Sequence, residues 1–286
     1  MKAIIKSRDY ELNRGLQLHL GQRTLVMGIL NVTPDSFSDG GRYDAVERAV
    51  AHAKSMVEQG ADIIDVGGES TRPGSSPVEQ DEELRRVVPA IAALREALPE
   101  VPISIDTYKA ETARQALVAG AHIINDVWGL KADPRMADAA AEFACPVVLT
   151  HNRHDRDYTD FTKDVIADLQ SSIEIAKRAG VAERNIWLDP GIGFAKNGEE
   201  NVELLGRLGE LSVLGYPLLL GTSRKLFIRQ TLDLPVDDIV EGTAATVALG
   251  IAEGCQIIRV HDIKQMKRVA KMTDAIVYRQ AVILIE

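Results

Sequence analysis

Short apolar segments rich in valine, isoleucine and leucine alternate along the chain with longer stretches whose apolar residues recur every three or four positions. The short segments are typical of buried parallel strands, and the longer ones are typical of amphipathic helices that pack on such strands. The pattern predicts eight strands, at residues 24–32, 62–67, 102–107, 122–127, 146–151, 185–190, 217–223 and 256–262. The helices predicted after them span residues 45–59, 81–98, 110–119, 134–143, 164–179, 199–211, 237–253 and 263–276.

Eight strand–helix units in succession predict an α/β protein, a single (β/α)8 or TIM barrel with a short N-terminal extension. Residues 1–23 are predicted to form an N-terminal hairpin or cap, 24–278 the barrel, and 279–286 a C-terminal tail. The alternative is a doubly wound open sheet, which usually carries a GxGxxG motif after its first strand. This chain has Asn31-Val-Thr-Pro-Asp35 at that place, so the barrel is favoured.

Composition and charge exclude several classes of function. The chain has 286 residues and a net charge of −9, which argues against nucleic acid or an anionic membrane as its main partner. No apolar run approaches the roughly 20 residues that span a bilayer. Charged residues interrupt the N-terminal segment before an export signal could form. Cys145 and Cys255 have no metal-type spacing, so we expect reduced thiols and a cytoplasmic protein.

Polar side chains stand at or just after the end of every predicted strand, where barrels of this type place their active sites. They are Asn31, Asp65, Glu69, Asp106, Asn125, Asp126, His151, Asp189, Ser223, Arg224, Lys225, Arg259, His261 and Asp262. A single polar residue at a strand end is equally well explained by the return of the chain to water. Polar residues at all eight ends, converging on one mouth, predict an enzyme active site.

The charges of these residues indicate what is bound. Lys225, Arg259 and His261 come from the ends of the last two strands and could form a clamp for an anion such as a phosphate. Asp106, Asn125 and Asp189 come from the ends of the third, fourth and sixth strands, and their oxygens could accept hydrogen bonds from a flat nitrogenous ring. These two groups predict a substrate with a heterocycle at one end and a phosphate-type leaving group at the other. The long loops after the first two strands, 33–41 and 67–74, are predicted to be lids.

From about residue 25 to 276 the chain resembles the dihydropteroate synthase family. Two long and specific stretches carry the resemblance, Gly28-Ile-Leu-Asn-Val-Thr-Pro-Asp-Ser-Phe-Ser-Asp-Gly-Gly41 and Asp65-Val-Gly-Gly-Glu-Ser-Thr-Arg-Pro-Gly74. Shorter matches are Ser104-Ile-Asp-Thr107, Asn125-Asp126, His151-Asn-Arg153, Asp189-Pro-Gly-Ile-Gly-Phe194, Gly221-Thr-Ser-Arg-Lys225 and Arg259-Val-His-Asp262. The resemblance implies a transferase of folate biosynthesis that joins p-aminobenzoate to 6-hydroxymethyl-7,8-dihydropterin diphosphate and releases pyrophosphate. It also implies Mg²⁺ as cofactor and a homodimer.

The resemblance also assigns roles to residues. It places Asp106, Asn125, Asp189 and Lys225 at the pterin ring, and Arg259, His261, Asn31 and Thr71 at the diphosphate, with Asn31 also at the metal. It places Asp35, Phe37, Arg72 and Pro73 at the aminobenzoate site, and it adds Phe194, Leu226 and Val260 as substrate contacts. The residues expected to act in catalysis are Asp106, Lys225, Asp35, Arg259 and His261.

Three positions depart from the family pattern. Thr150 stands where methionine is usual, Leu226 where serine is typical and Arg229 where glycine usually follows Phe-Ile. They represent either neutral drift or an altered aminobenzoate pocket. Two other functions remain open: a pterin-binding methyltransferase, which needs no diphosphate clamp, and a non-catalytic pterin-binding paralogue, which only these departures support.

Overall fold

The computed structural model of the chain describes residues 4–33, 42–69, 77–279 and 282–285. Eight parallel strands close into a barrel, which confirms the predicted fold class. The barrel strands are β3 (Leu25–Asn31), β4 (Ile63–Gly67), β5 (Ile103–Asp106), β6 (Ile123–Asp126), β7 (Val147–Thr150), β8 (Ile186–Asp189), β9 (Leu218–Leu220) and β10 (Cys255–Val260). The helices are α1 (Arg42–Glu58), α2 (Gln80–Ala97), α3 (Ala110–Ala119), α4 (Met136–Glu142), α5 (Phe161–Arg178), α6 (Gly198–Gly206), α7 (Leu226–Leu232), α8 (Val240–Ala252) and α9 (Ile263–Val277).

Two predicted elements differ from the observed ones. The helix predicted at 199–211 is divided, because α6 ends at Gly206 and a 3-10 helix follows at Leu208–Leu214. The segment between β9 and α8 was predicted to begin as a loop, but it contains α7. A helix of two turns buries only Phe227 and Ile228, and such a short run has too few apolar repeats to give a helical pattern in the sequence.

Side chains of each barrel strand point alternately to the interior of the barrel and to the surrounding helices. The lower interior is apolar and consists of Met27, Ile63, Ile123, Val148, Trp187, Leu219 and Ile257, all fully buried. Two residues further along the strands, the interior layer becomes polar at Asp65, Asn125, Thr150, Asp189 and Arg259. The interior thus changes from apolar to polar within two residues of each strand. The polar layer forms the floor of a site at the C-terminal end of the barrel.

An N-terminal hairpin covers the opposite end of the barrel. Its strands, β1 (Ile4–Leu12) and β2 (Leu16–Leu20), are antiparallel, and a C-terminal strand β11 (Val282–Ile285) pairs in parallel with β1. Tyr10 and four leucines of the hairpin belong to the same buried cluster as the lower interior of the barrel. The division of the chain into cap, barrel and tail stays a prediction. Among the described residues, no helix is both long and apolar enough to cross a membrane.

Tyr10 links the hairpin to the barrel through its hydroxyl. Trp187 Nε1 donates a hydrogen bond to Tyr10 Oη (2.9 Å), and Tyr10 Oη donates to the carbonyl of Arg184 (2.8 Å). We expect Tyr10→Phe to lower the free energy of unfolding by about 1–3 kcal/mol, because the buried indole N–H would lose its acceptor. Chemical denaturation measures this loss, and kcat should not change because Tyr10 lies at the far end of the barrel. An unchanged free energy of unfolding would contradict the role given to this hydroxyl.

Candidate active site

A cavity of about 330 Å³ opens at the C-terminal ends of the strands. Its lining combines cationic, acidic and apolar side chains and consists of Ile29, Asn31, Glu69, Asp106, Gly221, Ser223, Arg224, Lys225, Leu226, Arg229, Val236, Arg259 and His261. Its size is that of a small-molecule site, and most of its residues come from β3, β5, β9, β10 and the loops after them. The cavity therefore lies where the polar strand ends predicted an active site.

Two carboxylates hold one guanidinium at the floor of this cavity. Arg259 Nε donates to Asp65 Oδ2 (2.6 Å), and Arg259 Nη2 donates to Asp106 Oδ2 (2.5 Å). Asn125 Nδ2 also donates to Asp65 Oδ2 (3.1 Å). The strand register explains this cluster, because Asp106 pairs with Asn125 across β5 and β6 and residues paired in register point to the same face.

Burial and charge oppose each other at these groups. Burial raises the pKa of Asp106, while the positive charge of Arg259 acts in the opposite direction and the negative charge of Asp65 adds to the rise. Burial acts to lower the pKa of Arg259, but the two carboxylates outweigh it and raise that pKa. Burial also raises the pKa of Asp189, against a hydrogen bond of 2.7 Å from the Gly191 N–H to its Oδ1. The floor is therefore a poorly hydrated group of charges in which each carboxylate depends on nearby cations.

Asn125 and Asp126 are adjacent in sequence and have different surroundings. Asn125 points into the barrel toward Asp65, whereas Asp126 points outward and its two oxygens accept the backbone N–H groups of Trp128 (2.9 Å) and Leu130 (2.7 Å). Leu130 has a φ of +68°, so the Asp126 carboxylate stabilises a turn that contains a left-handed residue. Asp126 therefore shapes the loop after β6 and does not face the cavity.

Basic residues form the wall of the cavity at β9 and β10. Lys225, directly before α7, places its Nζ 4.1 Å from the centre of the Phe194 ring. Ser223 Oγ accepts a hydrogen bond from the His261 backbone N–H (3.1 Å) and lies 3.0 Å from His261 Nδ1. Arg224 donates hydrogen bonds to both carboxylate oxygens of Asp262, from Nε to Oδ2 (3.1 Å) and from Nη2 to Oδ1 (2.6 Å). This ion pair connects the loops after β9 and β10.

The loop after β8 is held by a lysine that the sequence did not single out. Lys196 Nζ donates to the carbonyls of Gly191 (2.9 Å) and Phe194 (3.1 Å) and lies 2.7 Å from His151 Nδ1. Burial lowers the pKa of Lys196 to about 7. Gly191 has a φ of +70°, and a Cβ there would lie 1.9 Å from the carbonyl oxygen of His151, so only glycine fits.

His151 is a structural residue in this arrangement. Burial lowers its pKa to about 4, so its imidazole is neutral at pH 7 and accepts at Nδ1 from Lys196. Its Nε2 then donates to Asp168 (3.0 Å). His154 stacks on Trp128, with ring centroids 4.6 Å apart. The described residues contain no group of three or more His, Cys, Asp or Glu side chains that could hold a metal ion.

The base of the loop after β4 is tied to the barrel by a half-buried lysine. Lys109 Nζ contacts Glu69 Oε2 (2.5 Å) and Glu83 Oε2 (2.7 Å), and Tyr108 Oη donates to Glu69 Oε1 (3.0 Å). Glu69 itself lines the cavity. These contacts position the chain immediately before residues 70–76, which lie outside the described residues.

The structure brings most of the predicted site residues together. Asn31, Asp106, Lys225, Leu226, Arg259 and His261 line the cavity. Asn125 and Asp189 are nearly fully buried beside it, and Phe194 packs against Lys225. The side chain of Val260 is not in this group, because it belongs to the buried cluster between the strands and the helices. Asp35, Phe37, Thr71, Arg72 and Pro73 lie outside the described residues.

Asp65 was predicted only as one of the polar residues at the strand ends, without a role of its own. Its position in the strand could have indicated that it faces the barrel interior, because it lies two residues after the inward-facing Ile63. Asn125, Thr150 and Asp189 occupy the equivalent positions of their own strands. The predicted anion clamp and the predicted acceptor pocket are not separate in the structure. Arg259, expected at the diphosphate, joins both parts because it pairs with Asp65 and Asp106.

The chain is similar to known proteins over most of its length. Residues 27–261 match the family described as pterin binding enzyme. The dihydropteroate synthase of Bacillus subtilis (strain 168) is 57% identical over 261 residues, which are 91% of this chain and 91% of that protein. A crystal structure of dihydropteroate synthase from Clostridium difficile in the presence of pteroic acid is 52% identical with a TM-score of 0.88, and the match covers 90% of this chain and 98% of that one. The Xanthomonas albilineans dihydropteroate synthase with 4-aminobenzoic acid is 42% identical with a TM-score of 0.89, over 94% and 98% of the two chains.

Sequence motifs, barrel topology and these similarities agree. The chain belongs to the dihydropteroate synthases of the pterin-binding enzyme family.

Proposed function

We propose that the chain condenses 6-hydroxymethyl-7,8-dihydropterin diphosphate with p-aminobenzoate, giving 7,8-dihydropteroate and pyrophosphate. One observation carries the proposal most directly. Arg259 joins the acidic floor, through Asp65 and Asp106, to a cavity wall that includes Lys225 and His261. A substrate with hydrogen-bond donors on a ring and a negative charge at the other end fits this arrangement. The similar structures with pteroic acid and 4-aminobenzoic acid support the same substrate class.

The roles of the site residues follow from their chemistry. Asp106, Asn125 and Asp189 accept hydrogen bonds from the pterin ring, and Lys225, packed on Phe194, contributes to the same pocket. Arg259 and His261 stabilise negative charge on the departing pyrophosphate, which lowers the barrier to C–O cleavage. Positive charge that develops on the dihydropterin is stabilised by Asp106. Leu226 borders the aminobenzoate site, whose remaining proposed residues are Asp35, Phe37, Arg72 and Pro73, with Thr71 at the diphosphate.

The attack on the pterin carbon needs little help from a base. The nitrogen of an aniline is neutral at pH 7, so p-aminobenzoate is already a competent nucleophile. We therefore propose a route in which C–O cleavage runs ahead of N–C bond formation. The protein contributes by positioning both substrates, by excluding water and by stabilising charge at each end of the pterin diphosphate.

Mg²⁺ is the proposed cofactor, and the available donors fit it. Asn31, at the end of β3, lines the cavity and offers a carboxamide oxygen. Mg²⁺ is usually bound by one or two carboxylates together with substrate phosphates and water. At this site the diphosphate itself would supply the negative charge, and the Asn31 carboxamide oxygen would be the protein ligand. Bound there, Mg²⁺ would neutralise part of the charge of the leaving pyrophosphate.

A coupled assay of pyrophosphate release tests the proposal. With both substrates and Mg²⁺, we expect pyrophosphate release that depends on p-aminobenzoate and the formation of dihydropteroate. A methyltransferase would show no pyrophosphate release, and a non-catalytic paralogue would bind the pterin without any turnover. Either of these outcomes would reject the proposed reaction.

Leu226 provides a test of the aminobenzoate site. Its side chain is 55% exposed and lines the cavity next to Lys225. We expect Leu226→Ser to change the ratio of the sulfonamide inhibition constant to the KM of p-aminobenzoate by about 5- to 30-fold, since one apolar contact at a binding site contributes about 1–2 kcal/mol. Leu232→Ser is the matched control, because Leu232 is exposed on the same helix and does not line the cavity. Equal ratios for Leu226→Ser and the unmodified enzyme would assign Leu226 to neutral drift.

We also propose that the protein is a homodimer. Leu249 on α8 and Met272 and Ile276 on α9 are exposed apolar side chains on two helices that pack against each other. A surface of this kind is typical of an interface between subunits. Light scattering should give twice the chain mass for the unmodified protein and the chain mass for Met272→Glu. Twice the mass for the variant as well would place the interface elsewhere.

The proposed compartment is the cytoplasm. Cys145 and Cys255 are both buried free thiols, and burial raises the pKa of each, that of Cys145 to about 12. Unpaired thiols of this kind are typical of proteins from a reducing environment.

A further inference from the structure

We propose that Asp65 keeps the hydrogen-bond acceptors of the pterin pocket open, by fixing the orientation of Asn125 and by holding Arg259 away from full pairing with Asp106. Asp65 is thus a positioning residue for recognition of the pterin ring. The inference rests on the function proposed above and extends it to a residue with no access to the substrate. Asp65 is 0% exposed and is not among the residues that line the cavity.

Asn125 is the first of the two residues that Asp65 orients. Its side chain has a donor end and an acceptor end, and which end faces the cavity depends on its neighbours. Asp65, ion-paired with Arg259, offers oxygens that only accept, so Asn125 must turn its NH2 group toward Asp65, as the Nδ2–Oδ2 distance of 3.1 Å reflects. The carbonyl oxygen of Asn125 is then left for a ring N–H. Asp65 therefore makes Asn125 an acceptor toward the substrate.

Arg259 is the second of these residues, and its guanidinium has five N–H groups in a planar fork. Arg259 Nε donates a hydrogen bond to Oδ2 of Asp65, and Arg259 Nη2 donates one to Oδ2 of Asp106. Each carboxylate therefore accepts from Arg259 through a single oxygen. Among the described residues, Asp106 Oδ1 and Arg259 Nη1 have no hydrogen-bond partner. Without Asp65, the fork could bind both oxygens of Asp106 side by side, which is the preferred geometry of an arginine–carboxylate pair. That pairing would occupy the oxygen that Asp106 offers to the pterin.

The surroundings of Asp65 agree with a role behind the substrate. Its second oxygen, Oδ1, is buried and has no partner in the described part of the chain. Ser104, its register partner on β5, is equally buried, and its Oγ has no partner there either. Asp65 is therefore held in place by its contacts to Arg259 and Asn125, which are the two residues that it is proposed to orient.

Two substitutions separate the charge of Asp65 from its acceptor. Asp65→Leu removes both and keeps the branching of the side chain at Cγ, although its methyl groups are bulkier than oxygens, and Asp65→Asn keeps an acceptor oxygen but removes the charge. The probe is 6-hydroxymethylpterin without diphosphate, and its affinity is measured by calorimetry. We expect Asp65→Leu to weaken binding by about 100-fold, because two buried hydrogen bonds to the ring lose their acceptors, and Asp65→Asn by less than about 10-fold.

The pH dependence gives a readout that a merely structural residue would not move. The charged groups that act on Asp106 are Arg259, Asp65, Glu83 and Lys225, and the negative charge of Asp65 contributes to the raised pKa of Asp106. Both substitutions remove that contribution, so the pKa of Asp106 falls. Pterin binding, which needs the Asp106 carboxylate, should then persist to lower pH in Asp65→Asn than in the unmodified enzyme.

Ser104→Ala is the matched control, since it alters a buried side chain beside Asp65 without touching Arg259 or Asn125. It should leave both the affinity and the pH dependence unchanged. If Asp65→Leu does not fold, Asp65→Asn alone decides through the pH dependence, and a neutron structure of the unmodified enzyme decides independently which end of Asn125 faces Asp65. The inference would be overturned if Asp65→Asn had the same pterin affinity and pH dependence as Ser104→Ala. It would also be overturned if the neutron structure showed the carbonyl oxygen of Asn125 facing Asp65. Failure of the unmodified enzyme to release pyrophosphate would instead reject the proposed function.

Discussion

Replacing Asp106 by asparagine is expected to lower kcat by at least about 100-fold. Asp106 is the carboxylate at the cavity floor that lines the cavity and keeps one oxygen without a partner among the described residues. The carboxamide preserves the shape but removes the negative charge that stabilises positive charge developing on the dihydropterin, and a preorganised charge of this kind typically contributes 10²- to 10³-fold, or roughly 3–4 kcal/mol. Steady-state kinetics with both substrates saturating measures the effect. Near-normal turnover would remove Asp106 from the mechanism.

Asp126→Asn is the matched control for this substitution. Asp126 is also a fully buried carboxylate at a strand end, but its oxygens accept backbone N–H groups of the loop after β6. A carboxamide oxygen can replace only one of these acceptors cleanly, so the free energy of unfolding should fall by about 1–2 kcal/mol. The kcat of the folded enzyme should stay within a few-fold of normal. The contrast tests whether the direction of the side chain, rather than the mere presence of a buried carboxylate, determines catalysis.

Replacing Arg259 by glutamine is expected to lower both activity and stability. Asp65 and Asp106 would remain buried without the cation that contacts them at 2.6 and 2.5 Å, and removing one partner of a buried ion pair typically costs about 3–5 kcal/mol. Burial raises the pKa of Asp106 and the charge of Arg259 opposes that rise, so the pKa rises further when the charge is removed. The acidic limb of the profile of kcat/KM against pH should therefore move to higher pH.

The same shift has a signature in stability. A carboxyl whose pKa is higher in the folded state than in the unfolded state binds its proton more tightly when folded, so its contribution to stability is lost as the pH rises through that pKa. The stability deficit of Arg259→Gln should accordingly be larger in weakly alkaline than in weakly acidic buffer. Arg224→Gln is the control, because Arg224 lines the same cavity but pairs with Asp262. An unmoved acidic limb in Arg259→Gln, or an equal shift in Arg224→Gln, would contradict the assigned coupling.

Much of the site could be predicted from the sequence because parallel strands must end at a common edge. The apolar runs gave the strands, and the polar residues after them gave Asp106, Asn125, Lys225, Arg259 and His261. Strand periodicity alone did not distinguish Asn125 from its neighbour Asp126, because a shift of one residue in a strand reverses the face. The sequence analysis nevertheless named Asn125 for the acceptor pocket, and its side chain does contact Asp65 inside the barrel. Asp65 was visible, but nothing local indicated that it would contact residues on β6 and β10.

Local periodicity predicted the order of the eight strands and helices. The polar residues at the strand ends were expected on one face, because all strands of a parallel barrel run in the same direction. The sequence by itself therefore determined the barrel and the edge that carries the site. Only the tertiary structure decided the pairings of Arg259 with Asp65 and Asp106, and the bonds of Lys196 to the loop after β8. Arg259 and Asp65 are 194 residues apart in sequence, and closure of the barrel brings them within hydrogen-bond distance. Hydrogen bonds and buried charges act over a few ångströms, so the partners of each group depend on contacts that form only when the chain folds.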